Sequence, residues 1–139
     1  LVDGPELTTQ ITQITDGAPI ALAIDAVGGE SFTKLMAALS FGGTIVCYGA
    51  LSMTQPELSS RAVIFNDIRV RGFWLAKWFE NASAEEKNAA FKEVIGLIAA
   101  GNLKARIHAT FSFDQIQEAV ETAMRGGRKG KVLLVADDI

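Results

Sequence analysis

Short apolar runs alternate along the chain with stretches whose apolar residues recur every three or four positions. Ile20 to Val27 is a nearly continuous apolar run that ends at Gly28-Gly29. Such a run predicts a strand covered on both faces. Phe32, Leu35, Met36 and Leu39 then recur at helical spacing, and Gly42-Gly43 stops that helix. Thr44 to Tyr48 reads as a second buried strand ending at Gly49. Ser52 to Ser60 is a loop containing Pro56, and Arg61 to Asn66 a short helix. Ile68 to Trp74 alternates apolar and basic residues before it turns aromatic, which suits a strand near a sheet edge. Upstream, Thr8 to Ile14 has the spacing of a helix end.

The second part repeats the alternation. Ser83 and Glu86 have capping-box spacing before a helix with Phe91, Val94, Ile95 and Ile98 on one face, ended by Gly101. Arg106 to Phe113 alternates like a half-buried strand. Asp114, with Gln117 three positions on, is the expected cap of a helix whose inner stripe is Ile116, Ala119, Val120, Ala123 and Met124. Gly126-Gly127 is expected to end it, and Lys131 to Ala136 to form a last strand. Strands joined by crossovers of this length predict an α/β fold with a parallel sheet, in which Ile20–Val27, Thr44–Tyr48 and Ile68–Trp74 are neighbours.

Composition narrows the function. At 139 residues and 49% apolar content, the chain is long and apolar enough for one folded core. Thirteen basic against 16 acidic residues give a net charge of -3, which argues against a nucleic-acid partner. No apolar run reaches the roughly 18 residues of a membrane span. With no signal peptide visible, cytoplasm is the default location. The first residue is Leu, so the chain is expected to begin after a cleavage or to be a piece of a longer protein. The lone Cys47 sits in an apolar strand with no basic neighbour to lower its pKa, so it is read as structural. His108, in an alternating strand, is read as structural or exposed, and no metal-ligand or catalytic grouping is apparent. No G-x-G-x-x-G follows a strand. The Gly126 to Lys131 stretch has the wrong spacing for a phosphate loop, and a strand follows it.

Three stretches carry a family resemblance: Asp25-Ala-Val-Gly-Gly29, Gly42 to Leu51 (GGTIVCYGAL) and Ile64 to Trp78 (IFNDIRVRGFWLAKW). The chain resembles the C-terminal half of a medium-chain dehydrogenase/reductase. Within that superfamily it is most similar to the zinc-free 2-enoyl thioester reductases, including the mitochondrial trans-2-enoyl-CoA reductases. The R-G-F-W-L run with its second Trp is the more specific part. The similarity runs from about Ile20 to Val135.

The resemblance implies the C-terminal half of a Rossmann-like parallel sheet, residues 1–102, followed by a segment, 103–139, that returns to the catalytic domain. It implies hydride transfer from NADPH to the carbon–carbon double bond of an enoyl-CoA or enoyl-acyl-carrier-protein in fatty acid metabolism. A tyrosine of the other domain assists at the thioester, and no metal takes part. The cofactor-binding stretches map to Tyr48, Gly49, Ala50 and Leu51, to Phe73, Trp74 and Leu75, and to Lys131. Ala50 and Leu51 stand where the family more often has Gly and Met. Asp25, where some relatives carry Asn, is given no acid–base role, and no catalytic residue is assigned within the chain. The glycine-rich turn, the residues reading the 2′-phosphate and the tyrosine would lie upstream of Leu1, so the isolated chain is expected to be inactive.

Each stretch also has a plainer reading. Gly49 serves as a strand-ending turn, the aromatic pair as core or interface, and Lys131 as a solvated strand start. In the superfamily the last strand of the cofactor domain commonly pairs with its two-fold mate, so a homodimer through Ile68 to Trp74 is expected. The alternatives are a quinone oxidoreductase or zinc-type alcohol dehydrogenase of the same superfamily, or a non-catalytic dimerising α/β module.

Overall fold

The structure is a computed structural model that describes residues 6–125 and 127–136. It divides into two compact units, with the boundary between Ala82 and Ser83.

The first unit holds a three-stranded parallel sheet in the order β1-β2-β3, with β1 at Leu22–Asp25, β2 at Thr44–Cys47 and β3 at Arg69–Gly72. The three predicted strands are therefore parallel neighbours in the expected order, each shorter than its apolar run. Helix α1 (Leu7–Ile14) precedes β1, α2 (Gly29–Ala38) joins β1 to β2, α3 (Ser60–Phe65) joins β2 to β3, and α4 (Leu75–Asn81) follows β3. The sequence reading anticipated α1, α2 and α3 but not α4. That helix has no side-chain cap and buries no residue, so neither a capping signal nor an apolar stripe marks it.

Register explains the core. Leu22, Thr44 and Arg69 share one sheet position, as do Ala23, Ile45 and Val70. Alternation then puts Ala23, Ile45 and Cys47 on one face. On that face Ile45, with no exposed surface, packs with Phe32 and Met36 of α2, and with Leu39 and Ile68. On the opposite face Leu22 and Ile24 are 60% and 64% exposed. The expectation of a strand covered on both faces is thus met on one face only. The helices that pack on the core, α2 and α3 through Ala62, lie on the Ile45 side.

The second unit contains α5 (Ala84–Ala99), β4 (Ile107–Ser112), a single 3-10 turn (Phe113–Gln115), α6 (Ile116–Met124) and β5 (Lys131–Val135). The predicted Ser83–Glu86 box forms: Ser83 Oγ accepts from the Glu86 amide, and the Glu86 carboxylate accepts from the Ser83 amide. The bond from the Ser83 amide lowers the pKa of the Glu86 carboxyl from its ordinary value. The stripe Phe91, Val94, Ile95 and Ile98 on α5 is exposed. Strands β4 and β5 pair in parallel, with a register irregularity between Ile107 and Ala109.

Two expectations are corrected here. Ser112 and Gln115 form the capping box in place of Asp114 and Gln117, because the chain enters α6 through the 3-10 turn. The α6 stripe faces β5 through Ile116, Ala119, Val120 and Ala123, around a small cavity shared with Val132 and Leu134. Met124, the last residue of α6, is 82% exposed and does not belong to it. Gly126, half of the expected stop, lies outside the described residues. The neighbouring Gly127 has φ +75°.

Phe32→Ala removes the largest ring of the first unit's core and should cost about 3–5 kcal/mol in urea denaturation. Ser83→Ala should cost only about 1 kcal/mol.

Candidate functional site

The carboxyl ends of β1, β2 and β3 lie side by side, and the chain leaves each through a turn. Turn one is built on Asp25. Its carboxylate is 2% exposed and accepts the amides of Val27 (3.0 Å) and Gly28 (2.9 Å). Burying a carboxylate is costly unless it is hydrogen-bonded, and these amides meet that need. They also bend the chain so that Gly28 takes φ +75° and Gly29 +54°, values that favour glycine. This accounts for D-x-V-G-G as a backbone device.

Turn two runs alongside turn one. The Tyr48 amide donates to the Asp25 carbonyl (2.9 Å), Leu51 to Ala26 (3.1 Å) and Ser52 to Val27 (2.9 Å). Backbone pairing thus continues past the ends of the strands. Gly49 is required by the close approach: a Cβ there would lie 2.6 Å from the Ala26 carbonyl oxygen. A Cβ on Gly29 would lie 2.2 Å from Thr54 Oγ1, so the two loops fit against each other at a second point.

Turn three begins at Phe73, whose amide donates to the Cys47 carbonyl (2.8 Å). Tyr48, Leu51, Phe73, Trp74 and Leu75 all present exposed side chains. Lys77 Nζ lies 5.7 Å from the centre of the Trp74 ring, a cation–π distance. Among the described residues, the backbone amides of Gly49, Ala50 and Trp74 donate to no other group. An open depression of about 400 Å³ lies over the uncovered sheet face, lined by Ala21, Leu22, Thr44, Val46, Arg71, Gly72 and Phe73, and it meets the carboxyl edge only at Gly72 and Phe73.

Seven of the eight residues singled out from the sequence therefore fall on two adjacent strand ends. The eighth, Lys131, opens β5 in the second unit, and its amide donates to the Arg106 carbonyl (2.7 Å). His108 is exposed in β4 of the second unit. Cys47 is half-buried, and burial, followed by the Asp25 charge, pushes its thiol above the ordinary value. The sequence reading passed over the interlocking of the turns. The glycines at 28, 29 and 49 and the short polar Ser52 and Thr54 were its trace.

Residues 2–134 match the family profile described as zinc-binding dehydrogenase, and the chain belongs to that family, within the medium-chain dehydrogenase/reductase superfamily. It is 34% identical over 121 residues to the mitochondrial enoyl-[acyl-carrier-protein] reductase of Dictyostelium discoideum, covering 87% of this chain and 34% of that protein. The crystal structure of a candidate NADPH:quinone reductase from Bacillus thuringiensis superposes with TM-score 0.74 at 25% identity, covering 97% of this chain and 41% of that one. A mutant enoyl thioester reductase from Candida tropicalis superposes with TM-score 0.69 at 24% identity, covering 95% and 37%. The chain spans about a third of the length of the curated relative.

The family's name refers to zinc, but the donor set does not fit it. Among the described residues no group of three or more His, Cys, Asp and Glu is placed to hold a metal ion. No chemistry is assigned here through zinc.

Because the Cys47 thiol is pushed up, its thiolate should appear only above the usual thiol range. Iodoacetamide should alkylate native Cys47 more slowly than free cysteine at pH 8, with the difference narrowing as pH rises. An alkylation rate equal to that of free cysteine at pH 8 would contradict the packing of Asp25 and Cys47.

Proposed function

We propose that this chain is the C-terminal, cofactor-binding part of an NADPH-dependent 2-enoyl thioester reductase. The observation that carries the reading is the pair of adjacent strand-end turns, Tyr48–Leu51 and Phe73–Leu75, with undonated amides at Gly49, Ala50 and Trp74. Ligands of open α/β sheets bind at the carboxyl ends of the strands. Free backbone donors there suit the carboxamide and ribose oxygens of a nicotinamide nucleotide. The family and its enoyl-reductase relatives support the choice of reaction.

In this proposal NADPH, when bound, supplies the hydride that reduces the carbon–carbon double bond of an enoyl-CoA or enoyl-acyl-carrier-protein. The residues of this chain orient the cofactor and perform no proton transfer. Tyr48 and Leu51 flank it with apolar surface, the Trp74 amide holds the carboxamide, and Lys131 pairs with a phosphate or ribose oxygen. Residues 1–102 form the last three strands of the dinucleotide fold, and 103–139 return to the catalytic domain. The chain alone has no turnover. Location in the cytoplasm and a place in fatty acid metabolism complete the proposal; the curated relative named above is mitochondrial.

A quinone reductase is the second reading, favoured by the structural neighbour of that description. With the intact protein, NADPH oxidation should be supported by crotonyl-CoA and not by a quinone; the reverse would exchange the two readings. Lys131→Ala should raise KM for NADPH by about tenfold, on the order of one charge-assisted hydrogen bond, and Phe73→Gly should raise it by loosening the turn that presents the Trp74 amide. Unchanged kinetics in both would remove these contacts.

A homodimer through Ile68 to Trp74 belongs to the same proposal. β3 is an edge strand of the described sheet, with one row of backbone groups unpaired by any described strand. Light scattering at micromolar concentration should give twice the protomer mass, and a monomeric mass would remove the dimer.

A further inference from the structure

In a chain of net charge -3, four cations converge on one small surface of the second unit. Arg106, Arg128, Lys129 and Lys131, with Ala105 and Gly130, line an open pocket of about 350 Å³. No carboxylate lines it. Among the described residues none of the four forms an ion pair, whereas Lys34 pairs with Glu30, Arg69 with Asp67 and Lys77 with Glu80. The backbone holds the two basic segments together. The Lys131 amide donates to the Arg106 carbonyl at 2.7 Å. Gly130 packs so tightly against β4 that a Cβ would lie 2.3 Å from the Arg106 carbonyl oxygen and 3.0 Å from the His108 nitrogen. Arg128 is tied down through its Nε, which donates to the Arg125 carbonyl (3.3 Å); among the described residues its terminal nitrogens donate to no group.

Four like charges held this close repel one another, and an anion between them relieves the repulsion. A single phosphate oxygen needs one or two such donors; four suit a denser charge. We propose that Arg106, Arg128, Lys129 and Lys131 form one anion subsite that takes a pyrophosphate or a cluster of phosphate groups. The two guanidinium groups provide forked donors and the two ammonium groups compact point charges. Only the origin of the phosphates rests on the reductase reading: either the dinucleotide or the coenzyme A portion of the thioester supplies them.

The full chain, isotope-labelled, is titrated with inorganic pyrophosphate and followed by NMR. Saturable shifts are expected at Arg106 and at residues 128–131. The double variant Arg128→Ala/Lys129→Ala should weaken binding by about tenfold or more. Lys92→Ala, outside the pocket, should leave binding unchanged. Both substituted side chains are exposed, and the spectrum itself reports whether the variant is folded. Unsaturable shifts scattered over the surface, or saturable binding that survives the double variant, would overturn the subsite. Displacement of pyrophosphate at lower concentration by 2′,5′-ADP assigns the site to the dinucleotide, and by 3′,5′-ADP to coenzyme A. Failure of the reductase reading would show separately, as absent turnover in the intact protein with pyrophosphate binding retained.

Discussion

A buried carboxylate sets the geometry of the ligand-facing edge. Asp25 ends β1 under the sheet's carboxyl edge and gathers the amides of Val27 and Gly28. Desolvation of a charged group makes this arrangement close to all-or-none. With both donors present the charge is satisfied; with one missing, the turn must open to water. The turn it fixes serves as the template for the next one. Three backbone hydrogen bonds, from Tyr48, Leu51 and Ser52, copy its path. Gly49 is the only residue type that lets the two chains lie this close. The position of every residue from Tyr48 to Thr54 follows from one acid two strands' width from Phe73.

The same construction leaves backbone donors available at the edge. Tyr48 and Leu51 donate to turn one, while Gly49 and Ala50, between them, do not. In a loop whose path is fixed by its flanks, undonated amides are held in place at no further entropic cost when a ligand arrives. That preorganisation, more than any single side chain, supports the proposed dinucleotide site at this edge. In the proposed reading, contact through the backbone places little demand on the side chains of Ala50 and Leu51, which stand where the family more often has Gly and Met.

Much of this was readable from periodicity. Strand order, parallel pairing and the capping box at Ser83 follow from alternation, crossover length and an S-x-x-E spacing. Two kinds of feature escaped. The first is partnership: the IALAIDAV run implies cover on both faces, but Leu22 and Ile24 are exposed, because an apolar pattern encodes what a strand prefers and not what lies upon it. The second is contact between loops. D-x-V-G-G reads locally as a turn, whereas its physical meaning lies 20 residues on, where Gly49 meets Ala26. The entry into α6 failed for a related reason. Ser112 and Asp114 are both good caps, and the 3-10 turn that decides between them has no periodic signature. For the candidate site, Tyr48 to Leu51 and Phe73 to Leu75 were found through family resemblance. The basic pocket combines residues more than 20 positions apart, and only strand pairing brings them together.

The central claim is that the adjacent turns Tyr48–Leu51 and Phe73–Leu75 present their free amides to the nucleotide. Hydrogen–deuterium exchange of the intact protein with and without NADPH tests it directly. The account predicts that NADPH slows exchange at Gly49, Ala50 and Trp74, while Val27 and Gly28, already held by Asp25, change little. Protection confined to other segments, with those three amides unaffected by saturating NADPH, would contradict it.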